Sequence, residues 1–150
     1  MVESARLRFP RFNQRAISWV SPLLKTSERT GVTGATWLVL ASLVAFLVFD
    51  KPVAIAALLF ISLGDPAAAL VGSGVRGPRI GGKSPFGTLA FLIVGLAASS
   101  VLMATDVLEH HRSVGVGAAV AALVELAPLR IDDNLTVPLI SGASITLLMM

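Results

Sequence analysis

Five long apolar blocks, separated by short connections rich in charge, glycine or proline, constrain this chain more than any other feature. They run approximately over residues 31–49, 52–72, 86–105, 114–127 and 135–150. A helix that crosses the hydrocarbon core of a bilayer needs about 20 residues, within a usual range of roughly 17–25. The first three blocks meet that length comfortably. The fourth and fifth are shorter, and read as tilted, partly re-entrant or extended by their flanks. Hydrophobic residues make up 55% of the chain and charged residues 14%, against roughly a quarter charged in soluble domains. The expectation is an all-α, polytopic membrane helix bundle of about five spans, with residues 30–150 forming one domain.

The remaining composition narrows the function classes. There is no cysteine, which excludes a disulfide framework and a thiolate metal site. The net charge is +3 and the pI about 10.2, a balance that suits anionic lipid headgroups. Nucleic-acid binding would use basic residues too, but leaves the apolar blocks unexplained, so no nucleic-acid partner is expected. Residues 1–29 intersperse Arg6, Arg8, Arg11, Arg15, Lys25 and Arg29 with Phe9, Phe12, Ile17, Trp19, Val20, Leu23 and Leu24. That mix predicts a basic amphipathic segment lying in the headgroup region. A disordered basic tail is the alternative, given Pro10 and Pro22. The segment does not read as a cleavable signal peptide.

Charge placement predicts an orientation in the cell membrane. The basic N-terminus belongs in the cytoplasm by the positive-inside rule. Counting spans from there puts Asp50-Lys51 outside, the Arg76–Lys83 loop inside, Asp106–Arg112 outside and Arg130–Asn134 inside. The loop expected inside carries Arg76, Arg79 and Lys83 and no acid, whereas the outer one carries Asp106, Glu109 and Arg112. Both tests agree. Glu28-Arg29, the basic loop and the Asp132-Asp133-Asn134 turn are thereby expected on one face.

Three constellations can carry chemistry. Gly64-Asp65-Pro66 sets a carboxylate inside an apolar block, where a charge is costly unless it has a partner or a task. The residue before proline is pushed out of the helical region, proline suits the first helical position, and aspartate is a good N-cap. The second span is therefore expected to break at Gly64-Asp65, with a new helix from Pro66. Asp65 then lies about 10 Å below Gly72 at 1.5 Å per residue, at the bottom of a polar pocket. A plain helix cap is the alternative reading.

The second constellation is Gly77-Pro78-Arg79-Ile80-Gly81-Gly82-Lys83-Ser84, a literal match to G-x-x-x-x-G-K-[ST]. The motif requires a preceding strand and a parallel sheet; here an apolar helix precedes it, so a P-loop fold is rejected. Its chemistry can still converge. Ser84 can cap a helix starting at Pro85, whose N-terminus favours an anion, and Lys83 puts a charge beside it. Arg76, Arg79 and Lys83 also fit ordinary positive-inside residues, but that leaves the five glycines Gly72, Gly74, Gly77, Gly81 and Gly82 unexplained. The third constellation is Glu125 with Asp132-Asp133-Asn134. Magnesium takes one or two carboxylates and completes its shell with water and phosphate, a set that Asp65, Asp133 and Asn134 can supply. A helix cap with a solvated turn fits the last three equally. His110-His111 lie in the outer loop and receive no role.

Taken together these residues resemble the polyprenol kinase family, which includes dolichol kinase, phytol kinase and CTP-dependent diacylglycerol kinase. The resemblance runs from about Arg15 to the end. It comprises Glu28-Arg29 with Thr33-Gly34-Ala35-Thr36, Gly64-Asp65 with Ala68 and Gly72, Gly82-Lys83-Ser84 with Gly87, and Glu125 ahead of Asp133-Asn134-Leu135 and Pro138. It implies phosphorylation of a membrane lipid alcohol from CTP with Mg²⁺ or another divalent cation. Metal binding falls to Asp65 and Asp133 with Asn134 assisting. Lys83 and the loop amides (Gly72, Gly82, Ser84, Gly87) would hold the nucleotide phosphates, supported by Arg76 or Arg79. Asp65 or Glu125 would accept the alcohol proton. Two departures stand out: Phe86 occupies a position where the family commonly has glutamate, and the family extends further at its N-terminus. The chain thus reads as a fragment or shortened homologue, with room for an oligomer or a partner subunit supplying those spans. Three rival readings are phosphatidate cytidylyltransferase, a transporter fragment and a non-enzymatic membrane subunit. The first shares the glycine–aspartate and lysine–serine elements but ends in a different signature.

Overall fold

The computed structural model describes residues 32–108 and 111–150; the expected interfacial segment 1–29, Glu28-Arg29 and His110 lie outside them. Helix punctuation follows the sequence closely. Helix α1 (Gly34–Val48) stops ahead of Asp50-Lys51-Pro52, and α2 (Lys51–Gly74) opens with proline in its first turn, where the missing N–H costs nothing. Helix α2 gives way to the glycine-rich loop, and α3 (Pro85–Ala104) again begins at proline. Helices α4 (His111–Leu126) and α5 (Asp133–Met149) complete an all-helical chain, without a named strand among the described residues. Helices α2 and α3 are long and apolar enough to cross a membrane. At 24 and 20 residues they extend about 36 and 30 Å. The first block, expected to cross comfortably, forms a helix of only 15 residues.

Helices α2, α3, α4 and α5 each pack on the next, and α5 closes the ring onto α2; α1 lies against α5 with a lesser contact to α2. Phe60 of α2 is fully buried at the centre. Its ring passes over Gly95 of α3 and Gly117 of α4, and Ile145 of α5 packs on Gly117 from the other side. Alanines 41, 45, 54, 56, 57, 118 and 121 are fully buried, while Leu47, Leu70 and Leu147 are at least 70% exposed. Large side chains outside and small ones inside is the pattern lipid imposes. Hydrocarbon offers apolar groups the same environment as a core, so helices associate through close backbone approach. The chain is read accordingly as a membrane protein.

One expectation is corrected. Helix α2 is not broken at Gly64-Asp65: it runs continuously from Lys51 to Gly74 with Pro66 inside it. Proline withholds only the hydrogen bond its nitrogen would give the Ser62 carbonyl, a local cost of about 3 kcal/mol. Packing holds the helix together across that gap. The ring of Phe91 from α3 lies so close on Gly64 that an added Cβ would sit 2.6 Å from it. The preference of a residue preceding proline is thus overridden by the α2–α3 contact, the most extensive helix contact among the described residues.

Alternation of helix direction puts the end of α2, the start of α3, the end of α4 and the start of α5 at one end of the bundle. There Gly87 meets α2 so closely that a Cβ would lie 2.7 Å from the Ala68 carbonyl oxygen. Backbone cannot yield as a flexible side chain can. We expect Gly87→Ala to destabilise the protein by roughly 1–3 kcal/mol in thermal unfolding in detergent. Gly74→Ala, with nothing within 4 Å of the added atom, should change it little.

Candidate active site

The loop between α2 and α3 is a folded turn rather than an open cradle. Ile80 and Lys83 exchange two backbone hydrogen bonds, at 2.8 and 3.0 Å. The two residues between them, Gly81 and Gly82, have φ of 57° and 90°. A two-residue hairpin turn of this kind needs positive φ at its centre, which explains the glycine pair. Arg79 anchors the turn. Its Nη2 donates to the Gly72 carbonyl at 3.0 Å and its Nη1 to the Gly82 carbonyl at 3.3 Å. A cation on the last carbonyls of a helix is favourably placed against the helix dipole. Arg79 therefore shapes the cleft wall, while Arg76 is exposed and does not line the cleft.

Lys83 occupies the centre. Its Nζ donates to the backbone carbonyl of Glu125, lies 3.2 Å from Glu125 Oε1 and 3.1 Å from Asp133 Oδ2. The Glu125 side chain is only 6% exposed, and it sits in the last turn of α4, where the helix dipole disfavours negative charge. Its other oxygen, Oε2, lies 3.3 Å from the Thr88 hydroxyl, which is also 3.3 Å from the Ser84 carbonyl. A buried carboxylate needs such partners; removing one partner of a buried pair costs about 3–5 kcal/mol.

Around this cluster lies a cleft of about 270 Å³. Asp65, Gly72, Arg79, Gly82, Lys83, Ser84, Gly87, Glu125 and Asp133 all line it. Residues from α2, the turn, α3, α4 and α5, expected on one face from sequence, therefore do meet. Ser84 departs from its expected role. It holds the N-cap position of α3, yet its side chain makes no capping hydrogen bond. The residue is 6% exposed and its Oγ is buried without a hydrogen-bond partner. A buried hydroxyl left unsatisfied at a cleft wall is a position for a ligand atom. Asn134 does not line the cleft: its backbone N–H and its side-chain Nδ2 both donate to Asp132 Oδ1, at 3.0 and 2.8 Å. Asp132, not Asp133, is the N-cap of α5.

Two cations (Arg79, Lys83) face three carboxylates (Asp65, Glu125, Asp133) across the cleft, a formal sum of −1. Among the described residues no group of three or more His, Asp or Glu side chains is arranged to enclose a metal. Magnesium requires no such cage, since one or two carboxylates suffice when phosphate oxygens complete the shell. Asp65 and Asp133 fit that requirement. Sequence reasoning missed Thr88; it placed Asp132 in the acidic turn, with a helix cap as one reading, but gave it no site role. The signal for Thr88 was its position one helical turn beyond Ser84, which sets it on the same face of α3.

No family model matches the chain, and no solved structure does. Among curated proteins, the chain is similar to CTP-dependent diacylglycerol kinase 1 of Eremothecium gossypii, with 30% identity over 166 aligned residues. The alignment takes in 95% of this chain and 52% of that relative, so the chain spans about half the relative's length. The similarity extends through nearly all of this chain and is not confined to one motif.

Proposed function

We propose that this chain forms the nucleotide-binding half of a CTP-dependent lipid kinase, which transfers a phosphoryl group to the hydroxyl of a membrane lipid. The observation that carries the reading is the cleft itself. It joins acids from three helices, a lysine and an unsatisfied buried hydroxyl at one end of an apolar bundle, and the similar curated protein is named for this activity. The charge balance of the loops supports a cytoplasmic site with the N-terminus on the same side. Diacylglycerol, polyprenol and phytol all present the same hydroxyl to it.

Phosphoryl transfer depends on positioning and on neutralising charge. Lys83, the Ser84 hydroxyl and the first free N–H groups of α3 take the phosphate oxygens; a helix N-terminus favours that charge. Glu125, with both oxygens engaged, positions Lys83. Asp133, the first residue of α5, would hold a divalent cation together with phosphate oxygens, with Asp65 across the cleft. The cation, when bound, neutralises oxygens on the terminal phosphates. Asp65 lies about 13 Å along α2 from its end, further toward the lipid, where an alcohol headgroup arrives. The alcohol oxygen attacks the terminal phosphorus and its proton passes to Asp65. The bond from that phosphorus to the bridging oxygen breaks, and the electron pair leaves on the nucleoside diphosphate.

Proton acceptance of this kind is worth about 10²–10⁴ in rate. Asp65→Asn should therefore lower kcat for labelled phosphoryl transfer from CTP to diacylglycerol or polyprenol in micelles at least 100-fold; unchanged turnover would remove the assignment. The cleft's negative formal sum means a triphosphate enters only with a cation. Chelation with EDTA should abolish CTP binding in calorimetry, and binding that survives chelation would refute that account. Because the chain lacks cysteine, single replacements report sidedness directly. Arg76→Cys is expected to react with impermeant maleimide only from the cytoplasm, and Lys51→Cys only from outside.

A further inference from the structure

A second cleft, of about 320 Å³, adjoins the first. The two share Lys83 and Asp133, so that ion pair forms the wall between them. Ligand pockets usually measure about 300–1,000 Å³; the first cleft falls just below that range and the second at its lower end, and a ligand crossing the Lys83 wall would use both. Their chemistries differ. The first offers cations, acids and an unsatisfied hydroxyl. The second is walled by Pro128, Leu129 and Ile131 of the α4–α5 connection, with Arg130, Asp132 and Thr136 as its polar groups. Gly81 fixes this connection in place, since its turn rests directly on Pro128.

Asp132 is the informative group. Its Oδ1 is spent on the N-cap of α5, accepting from Asn134 twice. Its Oδ2 has no hydrogen-bond partner among the described residues. A carboxylate oxygen lining an open cleft with both polar and apolar walls suits the exocyclic amine of a base, as in recognition of the cytosine N4 amine. Arg130 on the same rim supplies donors for the acceptors on that edge of cytosine. Uracil reverses the pattern: it presents a carbonyl where cytosine presents its amine.

We infer that the second cleft takes the nucleoside of the nucleotide whose phosphates occupy the first, and that Asp132 selects an amine-bearing base over uracil. The inference rests on the kinase reading above. Binding of CTP, UTP and inorganic tripolyphosphate, each with Mg²⁺, to the purified chain in detergent tests it. Asp132→Asn keeps a good N-cap while replacing the acceptor with a donor. It should weaken CTP about tenfold, leave tripolyphosphate unchanged and narrow or invert the preference for CTP over UTP. Ala127→Trp, which fills the cleft, should weaken CTP by a similar factor and again spare tripolyphosphate. An unaltered CTP/UTP ratio in Asp132→Asn, or equal loss of all three ligands, overturns the proposal. Wild-type protein that binds tripolyphosphate as tightly as CTP overturns it alone. Wild-type protein that binds neither overturns the phosphate site, and the nucleoside site with it.

Discussion

The Lys83 ammonium ties together three helix ends, and the architecture of the site depends on it. From the residue before Ser84 it reaches the backbone and carboxylate of Glu125 at the end of α4, and Asp133 at the start of α5. Glu125 is buried, and its two carboxylate oxygens are held by this cation and by the Thr88 hydroxyl. The same contact stands between the two clefts. A nucleotide that lies across both must meet Lys83 midway, where phosphate and nucleoside join. On the proposed reading, nucleotide binding and the local stability of the bundle end would be coupled through this one side chain.

The surroundings decide how such a site can be built. In lipid, apolar side chains gain nothing by turning inward, and the helices come together where alanine and glycine let backbones approach. Space for a ligand then arises only where the helices end and the connections fold back. Small residues serve both purposes here. Gly87 lets α3 touch the Ala68 carbonyl, and Ala68, Ala69 and Gly72 line the α2 wall of the cleft. A bulkier α2 surface would fill the cleft.

Much of the site was legible in sequence because charged groups are scarce in this chain. An acid within an apolar block, a glycine-rich cationic loop and an acidic turn after the fourth block stand out against hydrocarbon. Their convergence followed from counting spans. What stayed hidden concerns hydrogen-bond partners. Arg79 resembles a phosphate ligand in sequence, yet two backbone carbonyls claim it. Ser84 has the position of a cap without its bond, and Asn134 turns back to Asp132. Local preference also misjudged Asp65-Pro66, because the Phe91 ring lying on Gly64 keeps α2 continuous across the proline.

Sequence by itself determined the all-helical class, the helix boundaries marked by Pro52 and Pro85, and the polar residues with reason to gather at one end. These follow from the length of apolar runs and from the cost of charge in hydrocarbon, both properties of the chain before it folds. Only the tertiary structure decided that Lys83 bridges Glu125 and Asp133 and that Thr88 completes the Glu125 contacts. Such pairings join residues some 40 or 50 positions apart, and their ångström-scale distances depend on how the helices pack. No local pattern encodes that geometry.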